Sequence, residues 1–362
     1  MPPVASAVST AVRAMDLRAL ERALAPRGAK IPAGAIVDAG RLAWKPGLAL
    51  LVKHGADLNA CAKNYRALHA LMQEKPHAGG SSTPKRVACL QWLLARGADP
   101  DLLGAWPLAR APIVAAFQGE REYLRVLRDG RGKPDVFVAA AAGDLARVKA
   151  LLQQDPLLAT ARDQGHLTAL QCAAGSRLGA KDKKTAANLV EIARVLIAAG
   201  ADVHATTRSW GHDVSAASFA VRAGQIDMLR LLLEHGLDPT SAIAPAAWDA
   251  HDDMLDLLIA RGGDLDRAVE HGRPVLNDLV RWGQFRQARG LLARGASPNV
   301  ADEQGWTAMQ QAASRGNEAM IRDLIAAGGD VTRTDRIGKT PHDVARFKRM
   351  LKIARLLATP VA

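Results

Sequence analysis

The chain is 362 residues long, 49% hydrophobic but only 4% aromatic, and its 48 Lys and Arg outnumber 36 Asp and Glu for a net charge of +12. A core this poor in rings suits thin layers of Ala and Leu better than one deep globular centre, and the positive excess favours acidic partners, nucleic-acid backbones or anionic surfaces. The chain lacks any run of about 18 apolar residues, which argues against a membrane span. Its N-terminal stretch lacks the basic segment and unbroken apolar core of a secretory signal. Three cysteines, Cys61, Cys89 and Cys172, without CxxC spacing fit a reducing compartment rather than a disulfide framework. A cytoplasmic protein is expected; a route out of the cell that uses no cleaved signal stays open.

From its start the chain reads as a succession of short helix pairs. Ser6 to Gly28 predicts the first, with Arg13, Asp16, Arg18, Glu21 and Arg22 on its outer face. A helix-terminating position, usually in a Leu-Leu-x-x-Gly setting, then recurs at Gly28, Gly55, Gly97, Gly130, Asp155, Gly200, Gly236, Gly262, Gly295 and Gly328. A residue in left-handed conformation closes a helix there, and Gly adopts it without steric cost; after Asp155 it is Pro156 that prevents continuation. The spacings are 27, 42 and 33 residues, then 25, 45 and 36, then 26, 33 and 33. Each triplet opens with a short unit, so a higher-order block of three is expected over 29–130, 131–236 and 237–328. The short units, ending at Gly55, Asp155 and Gly262, leave no room for an extended hairpin before their first helix. Two long units carry insertions between their helices, Lys75 to Arg86 and Ser176 to Thr185, whose Gly, Ser, Pro and Lys predict mobile, solvated loops.

The clearest unit runs from Asp302 to Arg333. A glycine turn leads into a short helix with Ala308, Met309, Ala312 and Ala313 on one face, a break at Gly316, and a second helix carrying Met320, Ile321, Leu324 and Ile325. Such a hairpin cannot cover its own apolar face and needs neighbours of its own kind. With Gly305 before it and Leu324-Ile325-x-x-Gly328-x-Asp330 after it, the run Thr307-Ala308-Met309-Gln310-Gln311-Ala312-Ala313 resembles the T-P-L-H-x-A unit of ankyrin repeats, whose period is about 33 residues. Arg66-Ala67-Leu68-His69 follows the same pattern with His in place. The resemblance implies an all-α ankyrin-repeat solenoid of about eleven helix-turn-helix units with short finger hairpins, some of them missing. Residues 1–28 would be an N-terminal cap, 29–328 nine repeats, and 329–362 a C-terminal cap running from Gly338-Lys339-Thr340-Pro341-His342 into a helix that ends near Leu357. One continuous domain and a monomer are expected, because a solenoid lengthens without splitting.

Catalytic spacing is missing. The sequence has no HExxH, GxSxG or CxxC, and Gly175-Ser176-Arg177-Leu178-Gly179-Ala180-Lys181 lacks both the phosphate-loop pattern and a preceding strand. His54 and His235 directly precede terminating glycines, where a basic residue meets the last helix carbonyls. No enzyme, metal or cofactor is expected. The resemblance implies instead a non-catalytic scaffold that grips another protein, one with an acidic surface, on a concave face and fingers. Counting back from the terminators puts Phe117, Arg222, Trp248, Arg281, Trp282 and Arg315 at the groove-facing end of first helices, with Trp210 and Trp306 on fingers. Trp and Arg dominate binding energy in interfaces, so the main site is expected between Trp210 and Arg315. For Trp248 and Trp282, packing between repeats is an equal alternative. At the far end Arg333, Arg336, Lys339, Arg346, Lys348, Arg349, Lys352 and Arg355 oppose only Asp335 and Asp343, a net of +6. That supports either a solvated capping face or a second function, binding of nucleic acid or an anionic surface, with Lys339, Lys348, Arg349 and Lys352 as contacts. Nucleic acid is the weaker partner, because Phe347 alone interleaves with these cations.

Overall fold

The computed structural model describes residues 4–26, 28–73, 82–105, 107–129, 134–209, 212–267, 269–270 and 272–358. The chain forms two compact units, residues 1–228 and 229–362. In the first, the leading helices of successive pairs stack side by side: Val4–Arg13, Ala33–Arg41, Ala67–Met72, Ala111–Phe117, Val136–Ala142, Ala169–Ala174 and Ala216–Ala223. In the second, Ile243–Trp248, Val275–Trp282, Ala308–Arg315 and Pro341–Phe347 do the same.

Residue size explains the two layers. Leading helices such as Ala169–Ala174 are short runs of small side chains that are buried throughout, because a neighbour lies on either flank. Trailing helices are amphipathic. Leu145–Gln154 buries Val148 and Leu152 and leaves its remaining positions at least partly in water, the pattern of a helix with one covered face. The predicted terminators Gly28, Gly55, Gly97, Gly200, Gly236, Gly262, Gly295 and Gly328 all have φ between 75° and 97°; Gly130 lies outside the described residues. Asp155 is extended, at φ −146°, and its carboxylate caps the 3-10 turn Pro156–Ala159.

Hairpins occur where the spacing is long enough for them. They pair Leu103–Gly104 with Ala109–Arg110, Thr206–Ser209 with His212–Ser215, and Val269–Glu270 with Arg273–Pro274. Single bridges join Ala62 to Tyr65 and Arg162 to Thr168. Among the described residues, the short connections at 25–32 and 235–242 hold no strand.

One buried polar side chain per repeat ties several leading helices to the finger that follows. His69 meets the Ala109 carbonyl through Nε2 at 3.0 Å, and Gln171 donates to Ala205 and Val214 at 3.0 and 3.1 Å. Asn277 donates to Val300 and Trp306 at 3.0 and 2.8 Å, and Gln310 to Arg333 at 2.9 Å. Buried amides are costly without such partners. Burial pulls the His69 imidazole down to about 4, so the ring is neutral at physiological pH.

Three expectations need correction. Ser176 to Thr185 is not a solvated loop. Ser176 and Leu178 are buried, Leu178–Lys181 forms a 3-10 turn, and Asp182 caps the helix Lys183–Ala198. Hydrogen bonds from both sides hold it: Arg121 donates to the Leu178 carbonyl, Asp182 and Thr185, while the Gln225 amide reaches the Ala173, Ala174 and Ser176 carbonyls. In the other insertion, residues 75–81 lie outside the described residues, but Pro84 to Arg86 already belong to the helix Pro84–Leu94. There Arg86 is buried, donating to the Leu71 and Arg41 carbonyls at 2.6 and 3.0 Å. The C-terminal basic segment is two helices rather than one: Pro341–Phe347 is capped by Thr340, and the chain turns at Arg349, with φ 60°, into Leu351–Ala358. The trailing helix buries Ile353, Ala354 and Leu357, which only a reversal can bring onto the leading helix.

Candidate functional site

The left-handed residue between the two helices of a repeat supplies a common register. Two positions before Gly119, Gly224, Ala250, Gly283, Gly316 and Arg349 stand Phe117, Arg222, Trp248, Arg281, Ser314 and Phe347. In the unit 229–362 this row reads Trp248, Arg281, Ser314 and Phe347, and the next position along each helix reads Asp249, Trp282, Arg315 and Lys348.

Arg281 and Arg315 are exposed, as is Trp282, whose ring is left 59% in water. The Arg315 guanidinium donates to the Arg281 carbonyl at 2.6 Å, and a Cβ built on Gly283 would come within 3.1 Å of it. Gly283 therefore serves two needs, a left-handed turn at φ 77° and space for the Arg315 fork. Below this ledge lies a pocket of about 340 Å³, lined by Arg273, Arg281, Asp302, Gln304, Trp306 and Gln311.

The pocket is built by the finger. Asp302 Oδ1 accepts from the Gln304 and Trp306 amides at 3.0 and 2.9 Å, fixing the loop that carries the half-buried indole. Arg273 lies 3.8 Å from Asp278 and 3.7 Å from Asp302, whose carboxylates are almost wholly buried. These two acids hold the Arg273 cation at the pocket wall. Trp248 is half-buried, and its indole Nε1 is sequestered without a hydrogen-bond partner among the described residues.

These repeats have known counterparts. Residues 278–325 match the family model for ankyrin repeats in many copies. A putative ankyrin repeat-containing protein of Treponema pallidum is 30% identical over 135 residues, covering 35% of this chain and 45% of that protein. The human B-cell lymphoma 3 protein is 29% identical over 183 residues, 47% of this chain and 40% of its own length. The crystal structure of the ankyrin repeat domain of Bcl-3 superposes on 62% of this chain and 99% of that domain, with a TM-score of 0.50 and 27% identity. The chain folds as ankyrin repeats. The matched stretch spans less than half the length of these two curated relatives.

Across these ankyrin repeats the remaining candidates are spread out. Phe117 is 6% exposed and packs on Phe219, ring centroids 5.3 Å apart; it is a core residue. Arg222 is half-buried, and its carbonyl accepts from Arg177 at 2.5 Å. Trp210 lies outside the described residues. Lys339 is exposed on the last finger, and Lys348 extends over the Phe347 ring at 5.8 Å. Arg349 is exposed at its turn, and Lys352 pairs with Glu318 at 2.7 Å.

Sequence reasoning missed Arg273 and Phe347. Phe347 had a signal available, since it falls on the same register as Arg281. Arg273 had none, because its place beside Asp278 and Asp302 depends on how the finger folds. Among the described residues no group of three or more His, Cys, Asp or Glu is placed to hold a metal ion, and no helix is long and apolar enough to cross a membrane.

Proposed function

We propose that this ankyrin-repeat protein is a non-catalytic scaffold that binds another protein on the leading-helix ledge of residues 229–362. Trp282, Arg281 and Arg315 form the contact surface, and Arg273 and Trp306 shape the pocket beneath it. The observation that carries this is the exposed Trp282 ring flanked by two guanidinium groups. Trp and Arg are the residue types enriched among interface anchors, and a bare large apolar ring is the informative exception on a protein surface. Arg281 and Arg315, both exposed on the ledge, favour an acidic partner surface. Cysteines that are all unpaired, two of them buried, suit a cytoplasmic setting.

The test is capture from a cell extract on immobilised full-length protein at moderate salt, with the retained protein identified by mass spectrometry and its affinity measured by calorimetry. A partner retained by the wild type and lost by both Trp282→Ala and Arg281→Ala supports the ledge. A partner bound equally by both variants would remove it.

A further inference from the structure

We propose that the turn of the last repeat, Phe347 to Lys352, is a contact site for an anionic lipid bilayer, independent of the protein-binding ledge. In the preceding repeat the six equivalent residues are Ser314-Arg315-Gly316-Asn317-Glu318-Ala319; here they are Phe347-Lys348-Arg349-Met350-Leu351-Lys352. A polar turn has become apolar and basic. Phe347 is 83% exposed, Leu351 62% and Met350 36%. This exposure does not come from lacking a neighbour. Arg281 is exposed although the helix Ala308–Arg315 packs beside its own, and Ser314 keeps surface although Pro341–Phe347 packs beside it. At Arg281 and Ser314 the next leading helix leaves this position at least partly in water, so stacking of leading helices alone would not cover Phe347.

The chemistry selects the partner. An apolar tip ringed by cations matches an interface where hydrocarbon lies just beneath anionic headgroups: Phe347, Met350 and Leu351 enter the acyl boundary while Arg346, Lys348 and Arg349 meet phosphates. Duplex nucleic acid would satisfy the cations but gain nothing from Leu351 or Met350. A second copy would bring like charges together. The turn is also held in shape. Arg349 takes the left-handed backbone that Gly283 and Gly316 take elsewhere, and the Met350 sulfur sits where a Cβ on Gly316 would be 2.8 Å away. Lys352 is paired with Glu318, which leaves the other three cations for the headgroups.

Flotation of the full chain with phosphatidylcholine vesicles, with and without roughly 30% phosphatidylserine, tests this. The protein should float with the anionic vesicles only. Net charge alone could produce that result, so the deciding variant is Phe347→Ser with Leu351→Ser, which leaves every charge in place. Its affinity for anionic vesicles should fall at least about tenfold, with the melting temperature unchanged. Phe347→Trp should show blue-shifted difference emission on adding those vesicles and none on adding heparin. Failure to float, equal binding by the double variant, or loss of duplex DNA binding in that variant without change on vesicles would each overturn the proposal. Protein capture on the ledge is read separately, by Trp282→Ala, which should leave flotation intact.

Discussion

Phe117 and Phe347 occupy the same position, two residues before the turn of their repeats, yet one is 6% exposed and the other 83%. The difference lies in what later repeats add. Beside Phe117, Gly175 comes so close that a Cβ there would stand 2.4 Å from the ring, and the Arg177 amide donates to the Ala116 carbonyl at 3.0 Å. The insertion from 176 to 182 thus reaches back to the helix Ala111–Phe117, two repeats earlier, and Phe219 covers the ring from another side. No insertion interrupts the repeats around Arg281, Ser314 and Phe347. A repeat position therefore does not determine exposure. Extra chain fills the ledge in residues 1–228, and the ledge in 229–362 stays open.

The largest effect should separate the two phenylalanines. Phe117→Ala opens a cavity in the core and should cost about 3 to 5 kcal/mol, whereas Phe347→Ala should stay within about 0.5 kcal/mol; denaturant titrations read both. Similar losses in the two variants would break the comparison.

A second contrast is in pH. The tie between leading helix and finger is an imidazole at His69 but an amide at Asn277 and Gln310. The folded-state pKa of His69, about 4, lies below the ordinary 6.5. The stability this neutrality confers is complete above pH 6.5 and lost as pH falls toward 4, because the unfolded chain takes up the proton first. The loss over that window is about 3 kcal/mol. His69→Gln keeps a donor for Ala109 and should flatten the profile between pH 6.5 and 4 relative to wild type; an unchanged difference would show that the ring is not the sensor.

On the open ledge, Trp282→Ala should weaken the captured partner by about 2 kcal/mol, roughly thirtyfold, with little change in melting temperature. A drop in melting temperature instead would make Trp282 a packing residue. The smallest effect belongs to the insertion Ser176 to Thr185. Arg121 is about half exposed, so its bonds to Asp182 and Thr185 are screened, and Arg121→Ala should cost about 1 kcal/mol or less. Limited trypsin digestion is more sensitive: cleavage at Lys181, Lys183 or Lys184 should be slow in wild type and faster in the variant. Equal rates would mean that the insertion does not depend on Arg121.

The fold was legible because its signals are local. A terminating glycine, a small-residue helix and an amphipathic partner each announce themselves within a few residues, and their spacing told that the connections at 25–32 and 235–242 would hold no finger. The site was legible only in part. Trp282 and Arg281 follow from counting within a repeat. Phe117 went wrong because Gly175, 58 positions later, decides its burial. Gly, Ser and Lys in Ser176 to Thr185 suggested a loop, but Arg121 and Gln225 supply the bonds that order it. The paired helices at the C-terminus were obscured because Arg349 stands where Gly usually marks the break.

The buried ties from helix to finger all point one way: His69, Gln171, Asn277 and Gln310 each reach carbonyls later in the chain. The stack is therefore directional, like a row of hooks. A version stopped after Gly295 would strand the Asn277 amide, and one stopped after Gly328 would strand that of Gln310. A version started late leaves none of these four donors without its carbonyl. Shortened forms should accordingly tolerate loss of leading repeats better than loss of trailing ones, and a minimal binder is best trimmed from the front.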